Sequence, residues 1–81
     1  MKYFLIVYNR HEGRLLELQE YGSDKREQAL KERFSRELDE RTHPEIEVVL
    51  LGADSREALE KTHSRYFKTL DEIAELRNSP K

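Results

Sequence analysis

The sequence predicts an α+β fold, a β-β-α-β-α chain whose three strands form a sheet in the order 2-1-3, of split β-α-β type, in two layers with both helices on one face. Three observations predict it. Tyr3-Phe4-Leu5-Ile6-Val7-Tyr8 is an unbroken apolar run, too short for a membrane span, that reads as a strand buried on both sides and so as the middle of the sheet. Two further stretches, around 14–21 and 46–51, carry strand patterns bounded by Gly and Pro. Each of them is followed by a segment with apolar residues at helical spacing.

Asn9-Arg10-His11-Glu12-Gly13 follows the first strand as a polar hairpin loop, with Gly13 supplying a positive φ. Arg14 to Tyr21 returns as an edge strand. Strict alternation puts Leu16 and Leu18 on one face and Leu15, Glu17, Gln19 and Tyr21 on the other, more polar one. Gly22-Ser23-Asp24 ends this strand and opens a helix over about Lys25 to Arg41, with Asp24 and Glu27 spaced as a capping box. Leu30, Phe34 and Leu38 recur every four residues, with Ala29 alongside, and form the stripe expected to face the sheet.

Pro44 stops that helix, because it lacks a backbone donor and forces His43 out of helical geometry. Ile46 to Leu51 is the third strand. Gly52-Ala53-Asp54-Ser55-Arg56-Glu57 then repeats the form of Gly22 to Glu27, which predicts one capping solution used twice. The last helix is expected from Ser55 to Arg77, with an apolar face of Leu59, Tyr66, Phe67, Leu70 and Ile73. At about 1.5 Å per residue it is longer than the strands beneath it, so an end carrying Ile73, Ala74 and Leu76 overhangs. Residues 1–77 are expected to form a single domain and 78–81 a short polar tail.

The 2-1-3 order follows from the apolar run, which marks strand one as the middle of the sheet. The right-handed crossover rule, applied to both helices, puts them on one face. By alternation either Phe4, Ile6 and Tyr8 or Tyr3, Leu5 and Val7 point to those helices, and both parities stay open. Whichever set points away forms an apolar and aromatic open face, the usual mark of an interface.

Composition narrows the function classes. The chain has 81 residues, 36% of them hydrophobic and 40% charged, so its apolar side chains must be concentrated on a few faces or shared with a second chain. It has no Cys, which removes disulfides and thiolate chemistry. A formal charge of −2 lacks the basic excess of a general nucleic-acid or anionic-membrane binder. The apolar run is shorter than a signal-peptide core, and the chain is read as soluble and cytoplasmic, with no membrane association.

These features predict a protein-interaction domain that self-associates as a homodimer, or binds another protein, through the open sheet face and the end of the last helix. The interface residues expected are Tyr3, Leu5, Tyr8, Leu15, Tyr21, Leu51 and Leu76. The alternative is single-stranded nucleic-acid binding on the same face, with Tyr8 as a stacking platform beside Arg10 and Arg14. A third reading is a small enzyme using the loop residues His11 and His43 with Asn9, Arg10 or Glu45. No catalytic residue is assigned, because no activated nucleophile or third positioned group accompanies the histidines. Glu60 and His63 have Glu-x-x-His spacing, but one copy supplies too few ligands, so no metal and no cofactor is expected and His63 is read as a core-edge histidine.

Overall fold

The computed structural model describes residues 1–67. Three strands, β1 (Lys2–Asn9), β2 (Arg14–Tyr21) and β3 (Ile46–Ala53), form an antiparallel sheet in the order β2-β1-β3. A short 3-10 turn, Ser23–Lys25, leads into α1 (Arg26–Asp39). After β3 come α2 (Arg56–Thr62) and a 3-10 turn, Ser64–Phe67. The α+β class, the strand order and the central position of the apolar run are those the sequence predicts.

Hairpin chemistry explains how β1 reverses into β2. Gly13 has φ 65°, the left-handed conformation that glycine adopts without a Cβ clash. Asn9 Oδ1 accepts from the Glu12 N–H at 2.8 Å and holds the loop in a local turn. The pairing then slips: Val7 lies opposite Glu17 and Tyr8 opposite Leu15, so Leu16 is the extra residue of a β-bulge. That insertion reverses side-chain parity. Leu15 and Leu18 therefore share a face despite their odd spacing, contrary to the strict alternation expected, and Leu16 is left exposed.

Residue parity separates the two helices. Phe4, Ile6 and Tyr8 pack with Leu59 of α2 and with Tyr66, and draw in Leu15, Leu18, Val49, Leu51, Ala53 and Phe67. Leu5 and Val7, of opposite parity on β1, are also buried. Their face carries Glu17, the cross-strand partner of Val7, and Arg36 of α1 pairs with that carboxylate, Nη2 donating to Oε1 at 2.8 Å and Nη1 lying 2.5 Å from Oε2. Since α1 packs against β1 and β3, it must lie on the Leu5–Val7 side to reach Glu17 across β1. The expected placement of both helices on one face is thus corrected to helix, sheet, helix. Physically, the crossover rule constrains only β2-α1-β3; α2 has no following strand among the described residues, so the rule leaves its side free.

The helix starts also differ from expectation. Neither the turn at Ser23–Lys25 nor α1 has a side-chain cap, whereas α2 is capped by Ser55, whose Oγ accepts from the Ala58 N–H at 3.1 Å. The repeated sequence form thus serves two different solutions, and Asp24 and Glu27 make no capping box. Among the described residues α2 ends at Thr62. His63 takes φ −129° and ψ 47°, outside helical geometry, and the chain continues as the 3-10 turn. Leu70, Ile73, Ala74 and Leu76, with the expected overhang and tail, lie outside the described residues.

A candidate interaction surface on the outer face of α1

The expected interface residues do not form one surface. Register places Tyr3, Leu5 and Tyr21 on the α1 side, and Tyr8, Leu15 and Leu51 on the α2 side. Leu5 is 0% exposed and Tyr8 4% exposed, so both are core residues of the chain itself. Tyr3, Leu15, Tyr21 and Leu51 are half-buried. Leu76 lies outside the described residues. No open face remains over the middle of β1, because a helix covers each side.

Tyr8 is enclosed by a polar and aromatic cluster on the α2 side. The Tyr66 ring meets it edge-on, with centroids 5.1 Å apart, and the Arg65 guanidinium lies 4.2 Å from the Tyr66 centroid. Tyr66 donates its hydroxyl to Glu47 Oε2 at 2.6 Å, and Arg65 Nη2 donates to the same oxygen at 2.8 Å. Burial, and then the bond to Glu47, push the Tyr66 hydroxyl up to about 12. Stacking of a base on Tyr8 would need this cluster to open. Arg10 is engaged elsewhere: its N–H donates to Glu45 O at 2.7 Å and its guanidinium to Pro44 O, which ties the hairpin loop to the α1–β3 loop. Arg14 pairs with Glu12 at 3.1 Å on the surface.

The histidines are equally accounted for. His11 and His43 are exposed in the two tied loops, and His43 Nδ1 lies 3.9 Å from Glu45. His63 caps α2, with Nδ1 2.9 Å from Thr62 Oγ1, and its ring stacks on Tyr66. Glu60 is engaged by Arg56 at 3.0 Å. Among the described residues, no group of three or more His, Cys, Asp or Glu is placed to hold a metal ion, and no helix is long and apolar enough to cross a membrane.

The feature that sequence reasoning missed is the orientation of α1. Its completely buried residue is Ala29; Glu32, Arg36 and Glu40 are half-buried on the same line. At about 100° per residue, Phe34 lies roughly 140° around the helix from Ala29. The predicted core stripe accordingly faces outward: Leu30 is 37% exposed, Leu38 50% and Phe34 65%. This corrects the expectation that Leu30, Phe34 and Leu38 pack on the sheet.

Two physical causes set this rotation. A small side chain at the line of contact lets the helix backbone approach the sheet, and Ala29 is the only alanine of α1. Below it, Arg36 takes both oxygens of Glu17, at 2.5 and 2.8 Å, and also bonds Glu32 through Nε at 3.1 Å, so charged heads rather than apolar anchors join helix to sheet. The bonds to Glu17 and Glu32 push the Arg36 guanidinium still higher than usual. Tyr21 lies in the same field: its hydroxyl is pushed up, first by burial and then by the Glu32 charge. The sequence signal for this arrangement is Ala29, together with an ionic residue on each of the two elements at Glu17 and Arg36.

Leu30, Arg33, Phe34 and Glu37 line a common groove on the outer side. Arg33 Nε donates to Glu37 Oε1 at 2.7 Å, so one margin of the apolar stripe carries a fixed cation and anion in sequence. Known proteins add nothing to this picture, since no family model, no curated protein and no solved structure matches the chain.

Proposed function

We propose that this chain is a protein-interaction domain that self-associates, with the outer face of α1 as its contact surface. One observation carries the reading: α1 turns its alanine and its ion pair inward and its Leu30-Phe34-Leu38 stripe outward, with Phe34 65% exposed. A stripe of three large apolar side chains on an amphipathic helix normally faces a partner. Aromatic residues at the centre of such a stripe are typical anchors of protein contacts. In a chain only 36% hydrophobic, leaving this stripe in water forfeits some of the scarcest stabilising material the sequence has.

The reading is tested by sedimentation of the full chain over a wide concentration range, beside Phe34→Ala. The expected result is a concentration-dependent dimer that Phe34→Ala weakens by about tenfold or more, since an anchor side chain contributes about 2 kcal/mol or more. A chain that stays monomeric at the highest concentration would overturn the reading.

A further inference from the structure

We infer that two copies of this chain meet through antiparallel α1 helices related by a two-fold axis near Phe34, with Arg33 of each copy paired to Glu37 of the other. The inference rests on the self-association reading above and adds the geometry of the contact. Two observations carry it, the symmetry of the stripe and the charges on its margin.

Leu30 and Leu38 stand four residues before and four after Phe34, so reversing the helix about Phe34 maps the stripe onto itself. A two-fold contact demands this kind of self-complementary patch. Leu30 of one copy then lies against Leu38 of the other, with the two Phe34 rings in the middle.

The margin decides between the two helix directions. Arg33 and Glu37 occupy the same edge of the stripe, one turn apart and bonded at 2.7 Å. In a parallel two-fold pair this margin would lie against the other copy's opposite margin, so Arg33 and Glu37 of the two copies would not meet; only the antiparallel arrangement sets the two like margins side by side. Antiparallel pairing brings each Arg33 alongside the other copy's Glu37 and closes a four-charge network of two cations and two anions. On the opposite margin Glu27 and Lys31 also balance. The neutral sum of the four residues Glu27, Lys31, Arg33 and Glu37 gives a polyanion or an acidic membrane surface nothing to recognise, and fits an equally balanced surface such as the same face of a second copy. The face is small, since a helix of 14 residues is only about 21 Å long. A face about 21 Å long and no wider than the roughly 10–12 Å diameter of a helix falls well short of the roughly 800 Å² per partner of standard interfaces, so the dimer is of the weak, rapidly exchanging class.

The absence of native cysteine makes the geometry directly testable by disulfide trapping in the full chain. Leu30→Cys and Leu38→Cys are made singly; both positions are exposed, and far-ultraviolet circular dichroism checks that the fold is retained. In the antiparallel pair positions 30 and 38 are neighbours across the axis, whereas two copies of position 30 are roughly 12 Å apart, beyond the reach of a disulfide. An equimolar mixture is therefore expected to form the mixed disulfide at least about tenfold faster than either variant alone forms its own. Rapid Leu30→Cys self-linking, with a slow mixed product, would overturn the antiparallel geometry while leaving self-association intact. No cross-linking in any combination, together with a monomer in sedimentation, would overturn the underlying reading as well and assign the stripe to a different segment or chain.

Discussion

The two helical layers solve the same packing problem in opposite ways. On the α2 side the large side chains point inward: Leu59 is fully buried and Tyr66 nearly so, and they close over Phe4, Ile6 and Tyr8. On the α1 side the inward residue is an alanine, the link to the sheet is an Arg36–Glu17 ion pair, and the large side chains point out. One layer is held by apolar area and a buried hydroxyl, the other by close backbone approach and charge. The difference teaches where a lean chain leaves apolar side chains exposed. Apolar residues used for the core belong to α2 and the sheet, and those left over on α1 face outward.

Single substitutions separate the two layers. Leu59→Ala should destabilise the monomer most, by about 2–5 kcal/mol, because it removes a fully buried side chain and leaves a cavity beside Phe4 and Ile6. Urea unfolding checks it, and a loss under about 1 kcal/mol would mean that α2 is not seated on the sheet.

Alkaline pH should loosen the same layer. The Tyr66 hydroxyl is raised in the folded chain, to about 12 from an ordinary 10.0, so the folded state holds its proton more tightly than the unfolded state. The resulting stabilisation is complete below pH 10 and is lost as pH rises toward 12, amounting to about 2–3 kcal/mol at most. Tyr66→Phe should remove that pH dependence and also cost stability at neutral pH, since it leaves Glu47 without its hydroxyl donor. If the wild-type chain and the Tyr66→Phe variant lost stability in parallel across this alkaline range, the assignment would be disproved.

The α1 layer answers to size rather than to apolar loss. Ala29→Leu should cost about 1–3 kcal/mol, because a larger side chain must push the helix off β1 and β3. A neutral or stabilising result would place Ala29 away from the contact line.

Much of the fold is legible in the sequence because each strand carries its own signal. The unbroken run from Tyr3 to Tyr8 marks the central strand, Gly13 marks the hairpin, and Pro44 marks the stop before β3. What is not legible depends on long-range choices. The bulge at Leu16 inverts the parity of the residues before it, and nothing local in Arg14-Leu15-Leu16 announces that slip. The side taken by α2 is free of the handedness rule that fixes α1. The rotation of α1 is the sharpest case. Helical periodicity reports that Leu30, Phe34 and Leu38 share a face, but it is silent on whether that face meets this chain's sheet or another surface. Here the closer fit of Ala29 and the reach of Arg36 to Glu17 oppose the larger apolar area of the stripe.

That competition is resolved by Phe34→Glu, unfolded in urea at a concentration low enough to keep the chain monomeric, so that association does not contribute to the measured stability. With Phe34 facing outward, the substitution should change the unfolding free energy by no more than about 0.5 kcal/mol. A loss of about 3 kcal/mol or more would show that Phe34 is packed in the core, and would contradict the orientation of α1 on which the proposed contact surface stands.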